Sequence, residues 1–137
     1  METICKINSG KTFTHATIGE LSTFVGKQFI KECVGTTSCE ISFGTLNPGQ
    51  TAPFFHSHKQ NEEIYIVLRG AGDFQIDNIS FPVAEGSIVR IATHSSRSLR
   101  CTSATSMLYI CIQAKEGSLE QYTLNDGFIT EQTPIWK

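Results

Sequence analysis

Two histidines and a glutamate stand close together near the middle of the chain. His56 and His58 are two residues apart, and Glu63 follows His58 after four intervening residues. Alternate side chains of a β-strand share a face, so a strand would place both imidazoles side by side. If Glu63 begins the next strand after a turn, it brings a carboxylate to the same point. Two imidazoles and one carboxylate form a facial ligand set for non-haem iron and a workable set for catalytic zinc.

Short strands between turn residues account for most of the chain, at the spacing of a β-barrel or a sandwich. We predict strands at 39–43, 64–68, 73–76, 79–81, 88–91 and 107–112. Segment 18–31 alone could hold a helical turn or two, although Gly19 and Gly26 weaken that prediction.

The strand at 64–68 is apolar on both of its faces. A strand with one face in water would alternate apolar and polar residues, so a second layer should cover the outer face. That layer is either a second subunit or a flap of the same chain, such as the N-terminal segment. We expect a homodimer, since the twofold dimer is the commonest oligomer. The two terminal flanks would then wrap the barrel or exchange with the second subunit.

The length, charge and cysteine spacing of the chain limit the classes of protein to which it can belong. A chain of 137 residues has the length of one domain. With 11 basic and 13 acidic residues it lacks the basic surface that nucleic-acid binding requires. No apolar run is long enough to span a membrane, and residues 1–6 lack the apolar core of a secretory signal. The five cysteines have no C-x-x-C spacing, so we expect reduced, mostly buried thiols in a cytoplasmic protein.

The segment from Gly49 to Cys101 resembles the cupin superfamily. The first cupin motif is a glycine, H-x-H, a glutamate and a glycine, and the last four places match His56, His58, Glu63 and Gly70. The leading Gly49 is one residue too far from the histidines.

The second motif matches in spacing but not in residues. It begins at Gly86, and then Ala92 stands at the proline place, His94 at the glycine place and Arg97 at the histidine place.

The resemblance implies an all-β fold, a cupin-like jelly-roll barrel of two antiparallel sheets around a pocket. We expect a single domain over residues 1–137, with the barrel core at about 36–114 and short flanks. Family members often bind Fe, Mn, Zn, Ni or Cu through three histidines and one glutamate. Carried over to this chain, the resemblance implies one divalent transition metal on His56, His58 and Glu63.

Arg97 leaves three alternatives open. It could point into the barrel and pair with Glu63 in place of a metal. It could reach past a metal held by His56, His58 and Glu63 and bind an anionic substrate. Alternatively, the turn is reshaped and His94 replaces the missing imidazole.

The function expected from these residues is a metal-binding cupin acting on a small, anionic organic molecule. The reaction would be of dioxygenase, isomerase or decarboxylase type, with Arg97 binding the substrate. Tyr65 shares a strand face with Glu63 and would either supply a hydroxyl to the substrate or lie in the core with its hydroxyl satisfied. The alternatives are a barrel that binds a small ligand without turnover, and a metal-free structural barrel with a Glu63–Arg97 pair.

Overall fold

The computed structural model describes residues 3–136. The described chain is nearly all-β, as the sequence predicts, with ten strands and one helical turn. In chain order these are β1 (Cys5–Ser9), β2 (Thr14–Thr17), β3 (Lys27–Phe29), α1 (Lys31–Val34), β4 (Glu40–Leu46), β5 (Asn61–Arg69), β6 (Ala71–Ile76), β7 (Ile79–Ala84), β8 (Ile88–Ile91), β9 (Arg97–Cys101) and β10 (Met107–Lys115).

Two antiparallel sheets enclose the core in the jelly-roll arrangement that the cupin resemblance implies. The larger sheet has the strand order β3-β4-β10-β5-β8, and the smaller has the order β7-β6-β9. The long strand β10 lies at the centre of the larger sheet, between β4 and β5. A separate two-stranded sheet, β1 and β2, forms the N-terminal hairpin.

The core lies between the two sheets and takes alternate side chains from both. The ring of Tyr65 on β5 meets Phe74 on β6 edge to face, with ring centres 4.9 Å apart. The buried cluster consists of Leu46, Tyr65, Val67, Phe74, Val83, Val89, Ile91, Leu99, Cys101, Met107, Tyr109 and Cys111. Because β4 to β10 all pack around this cluster, the strand ends that carry polar residues are held in fixed relative positions.

The helix lies later in the chain than predicted. Gly19 and Gly26 have φ of +84° and +111°, a backbone conformation that ends any helix passing through 18–31. Strand β3 then occupies 27–29 and pairs with β4. The single turn α1 follows, and no helix within residues 3–136 is long and apolar enough to cross a membrane.

The prediction that most of the cysteines are buried is wrong, although all five are free. Only Cys101 and Cys111, on barrel strands, are buried; Cys33 and Cys39 are half-buried and Cys5 is exposed. The three accessible thiols lie before the barrel strand β4, where the chain buries little surface.

Gly72 is required where β6 passes β9. A methyl group at this position would collide with the backbone oxygen of Arg100, and backbone cannot move aside as a side chain can. We expect Gly72→Ala to lower the free energy of unfolding by about 1–3 kcal/mol, as overpacked cores do. Thr102→Ala, at an exposed position beside the same strand, is the control. Denaturant unfolding checks both, and equal stabilities would contradict this account.

Candidate metal centre

The two histidines lie on an extended segment, 51–58, that runs beside β9 and outside the named strands. The His56 N–H donates to the carbonyl of Arg97 at 3.2 Å, and the Arg97 N–H donates to the carbonyl of His56 at 3.0 Å. The N–H of His94 donates to the carbonyl of His58 at 2.8 Å. The ring centres of His56 and His58 are 5.2 Å apart, so the predicted pairing of the imidazoles holds without a regular strand.

Glu63, the third residue of β5, brings its carboxylate to these imidazoles. His58 Nε2 lies 3.1 Å from Glu63 Oε2, and His56 Nε2 lies 3.7 Å from Oε1. The donor atoms of all three residues fall within 4.8 Å of one another. The structure therefore brings together the three residues that the sequence indicates as candidate metal ligands.

Arg97 lies behind the carboxylate and is fully buried. Its Nε and Nη2 donate to Glu63 Oε1 at 3.1 and 2.7 Å, and its Nη1 donates to the carbonyl of Ser95 at 2.7 Å. Arg97 thus points into the barrel and pairs with Glu63, as the first of the three alternatives has it, and this pairing leaves open whether a metal is also bound. The guanidinium is engaged by protein acceptors, so it does not face the space where a substrate would bind.

His94 lies outside the group. Its side chain is exposed and its backbone has φ of +65°, in the left-handed region. The structure does not bring this imidazole to His56, His58 and Glu63, which are the only described residues grouped as a possible metal site.

The charges around Glu63 favour the protonation states that a metal needs. Burial opposes ionisation of Glu63, but the hydrogen bonds and charge of Arg97 outweigh it and hold the pKa of the carboxyl below its usual value. Burial, followed by the charge of Arg97, lowers the pKa of His56 and favours the neutral imidazole. Burial and the negative Glu63 raise the pKa of the Cys111 thiol to about 12. The thiol thus stays protonated and donates to Glu63 Oε2 at 3.3 Å.

A cavity of about 360 Å³ opens beside the carboxylate. Tyr65 lines it, as predicted from its strand face, and the Tyr65 hydroxyl donates to Glu63 Oε1 at 3.4 Å. The lining also includes His56, His58, Glu63, Leu46, Leu99, Tyr109, Cys111 and Gln113, and on its exposed side Lys27, Phe29, Pro53 and Phe54.

Lys27 is a positively charged residue in the cavity lining, and no sequence pattern identified it. Its Nζ lies 5.4 Å from the ring centre of Phe29 and 5.5 Å from that of Tyr109, within the range of cation–π contact. Its positive charge adds to the effects of burial and of Arg97, which lower the pKa of His56. Lys27 belongs to a three-residue edge strand with no motif around it, so only the pairing of β3 with β4 reveals its position.

The donor set fits a divalent transition metal. Two ligand atoms about 2.1 Å from one ion, at a right angle, lie about 3 Å apart, close to the His58–Glu63 separation. Two neutral imidazoles and an ionised carboxylate are ligands that Fe, Mn, Zn, Ni and Cu accept. Arg97 contacts Oε1, which leaves Oε2 as the oxygen beside His58. In this arrangement Arg97 also fixes the orientation of the ligand carboxylate.

Comparisons with known proteins agree with this fold. The family model described as a cupin domain matches residues 42–113. A cupin protein from Bacteroides fragilis is 32% identical, with 95% of this chain and 99% of that chain covered and a TM-score of 0.75. A predicted oxalate decarboxylase from Thermotoga maritima is 20% identical, with 83% and 93% covered and a TM-score of 0.61.

A Cupin 2 conserved barrel domain protein from Salinispora arenicola is 18% identical, with 66% of this chain and 75% of that chain covered and a TM-score of 0.58. At 20% and 18% identity, the Thermotoga and Salinispora structures show only that the fold is shared. No curated protein matches the chain.

Removing Arg97 should cost far more than removing an exposed arginine. Arg97→Met leaves the Glu63 carboxylate buried without its cation, and breaking such a pair costs about 3–5 kcal/mol. Arg97→Met/Glu63→Met should recover part of that loss, because no buried charge remains. The control is Arg100→Met, since Arg100 is 60% exposed and pairs with Asp73 at 2.8 Å, a contact worth under about 1 kcal/mol. Denaturant unfolding of metal-free protein measures all three, and equal losses in both single variants would refute the assigned role.

Proposed function

Since the chain belongs to the cupin family, we propose that it is a metal-binding cupin that acts on a small anionic organic molecule in its barrel cavity. The observation that carries this proposal is the convergence of His56, His58 and Glu63 on the cavity wall. We place the reaction among the dioxygenase, isomerase and decarboxylase types.

One divalent ion of Fe, Mn, Zn, Ni or Cu would be held by His56, His58 and Glu63. When bound, such an ion supplies Lewis-acid chemistry by polarising an oxygen of the substrate. Arg97 lies behind the carboxylate of Glu63 and holds it ionised and in one orientation. The thiol of Cys111 supports the second carboxylate oxygen. Tyr65 and Tyr109 are buried and give the cavity an aromatic wall beside the carboxylate.

The preference for an anion rests on Lys27. The charge of Glu63 is balanced by Arg97, so the ammonium of Lys27 gives the cavity a net positive potential. Phe29 and Tyr109 contact this ammonium through their rings and leave its N–H groups to bind a ligand. A small carboxylate that spans from Lys27 towards the imidazoles fits this distribution of charge.

A second candidate is a barrel that binds a small ligand without a metal. Arg97 stands at the place where the family motif has its last histidine, and it satisfies Glu63 with two hydrogen bonds. A carboxylate neutralised in this way is stable without an ion. This barrel would keep the cavity and Lys27 as its binding site.

Two further expectations stay predictions. The lack of a basic surface predicts no nucleic-acid partner, and the free cysteines favour a cytoplasmic location.

Metal content separates the two candidates. We expect close to one transition metal per chain in tag-free protein, measured by elemental mass spectrometry. His56→Ala/His58→Ala should remove it, because one carboxylate cannot hold the ion alone. His94→Asn is the matched control, since asparagine accepts the left-handed backbone and the imidazole is outside the group. Absence of metal, even after reconstitution with each of the five ions, would favour the metal-free barrel.

Anion binding tests Lys27. With oxalate as the probe, Lys27→Met should weaken binding about tenfold or more, because a hydrogen bond between two charged groups is lost. Lys27→Arg keeps the charge and should retain most of the affinity. Lys59→Met removes an equal charge from an exposed residue off the cavity and should have little effect. Titration calorimetry measures each, and equal affinities for Lys27→Met and wild type would exclude Lys27 as the anion site.

A further inference from the structure

A second cavity, of about 380 Å³, lies on the outer face of the smaller sheet. On β9 the side chains of Leu99 and Cys101 belong to the core between the sheets, so the alternate side chains point outward. The same alternation holds on β6, where Phe74 belongs to the core. The outward side chains that line the cavity include Phe55, Asp73, Gln75, Ser80, Ser98 and Arg100.

Strand pairing places four of these side chains in one row across the sheet. Gln75 on β6 pairs with Ser80 on one side and with Ser98 on the other. Beyond β9, the segment 51–58 pairs with that strand, and its register places Phe55 beside Ser98. Phe55 is half exposed. The row therefore ends at an aromatic ring and has an amide and two hydroxyls along its length.

The hydroxyl of Ser98 has no hydrogen-bond partner. Ser98 is 5% exposed, and its Oγ is the only buried side-chain polar atom of residues 3–136 that is left unpaired. Native proteins leave few such atoms, because each one costs free energy. A hydroxyl can both donate and accept a hydrogen bond. Since Ser98 forms part of the cavity wall, a polar ligand in the cavity can supply the missing partner.

The charges in the cavity lining cancel each other. Arg100 Nε and Nη2 lie 2.9 and 2.8 Å from Asp73 Oδ2, and no other charged side chain lines the cavity. Within the described chain, Asp73 Oδ1 accepts no hydrogen bond. The amide of Gln75 donates to the carbonyl of Asp77, which leaves the amide oxygen as an acceptor. The lining thus offers acceptors and donors to a ligand that carries no net charge.

We propose that this outer cavity binds a neutral monosaccharide. The apolar C–H face of a pyranose ring fits the negative face of the Phe55 ring, and sugar hydroxyls can donate to Asp73 and Gln75 and bond with Ser98. The cavity volume suits a small ligand, since binding sites for small molecules span about 300–1,000 Å³. The site is separate from the candidate metal centre, because Phe54 and His56, the neighbours of Phe55, line the other cavity.

Nuclear magnetic resonance of the isotope-labelled, full-length chain tests the proposal, with D-glucose, D-galactose and D-mannose as probes. We expect at least one sugar to bind with a Kd on the order of millimolar, as so small a neutral ligand does. It should shift the backbone amide signals of Gln75 and Ser98. Phe55→Ala should weaken this binding about fivefold. Phe54→Ala is the matched control, since Phe54 is adjacent and 65% exposed but lines the other cavity.

Ser98→Ala distinguishes a ligand contact from a structural role. The substitution removes a buried hydroxyl that has no partner, so the denaturant midpoint should stay the same or rise. The affinity for the sugar should nevertheless fall about fivefold, because the ligand loses a hydrogen bond. A serine that served only the fold would change the midpoint and leave the affinity as it is.

The metal proposal and this one fail independently. His56→Ala/His58→Ala should bind the sugar as the wild type does, whether or not the wild type holds a metal. The outer site is overturned if none of the three sugars shifts the signals, or if the shifts map to the other cavity. It is also overturned if Phe54→Ala weakens binding as much as Phe55→Ala, or if Ser98→Ala leaves the affinity unchanged.

Discussion

A buried ion pair between Arg97 and Glu63 fixes the position of the carboxylate and of the histidine segment beside it. Arg97 lies on β9 of the smaller sheet and Glu63 on β5 of the larger, so their hydrogen bonds join the two halves of the barrel. Each charge would be costly to bury alone, and each is acceptable because of the other. The backbone of Arg97 also pairs with His56. One residue therefore holds the carboxylate through its side chain and the histidine segment through its main chain.

This pair also divides the electrostatic roles within the cavity. Because Arg97 is buried and engaged by Glu63 and the Ser95 carbonyl, its charge does not reach the cavity, whereas the charge of Lys27 lies on the exposed side. Burial lets Arg97 act strongly on its immediate neighbours, whereas Lys27 retains contact with water and is screened by it. An anion approaching from outside would meet Lys27 before it reached the imidazoles.

The sequence predicted those features that depend on local alternation and spacing. His56 and His58 share a face because they are two residues apart, and Glu63 joins them because β5 begins just before it. The direction of Arg97 could not be predicted, because its main acceptor is the carboxylate of Glu63, which lies on a strand far away in the sequence. Lys27 was missed because its place depends on a pairing with β4 across many residues. The helix was misplaced since two left-handed glycines outweighed the composition of segment 18–31.

The central strand β10 serves two surfaces with alternate residues. Tyr109 and Cys111 face the cavity, whereas Ile110 and Ile112 lie on the outer face. Substitutions along this strand can therefore change the cavity wall and the outer sheet face independently, one residue at a time. An insertion or deletion of a single residue would exchange the two sets, because a one-residue slip turns every side chain to the opposite face. The length of β10 is thus constrained more tightly than its composition. We expect related sequences to differ in this strand by substitutions and not by insertions or deletions.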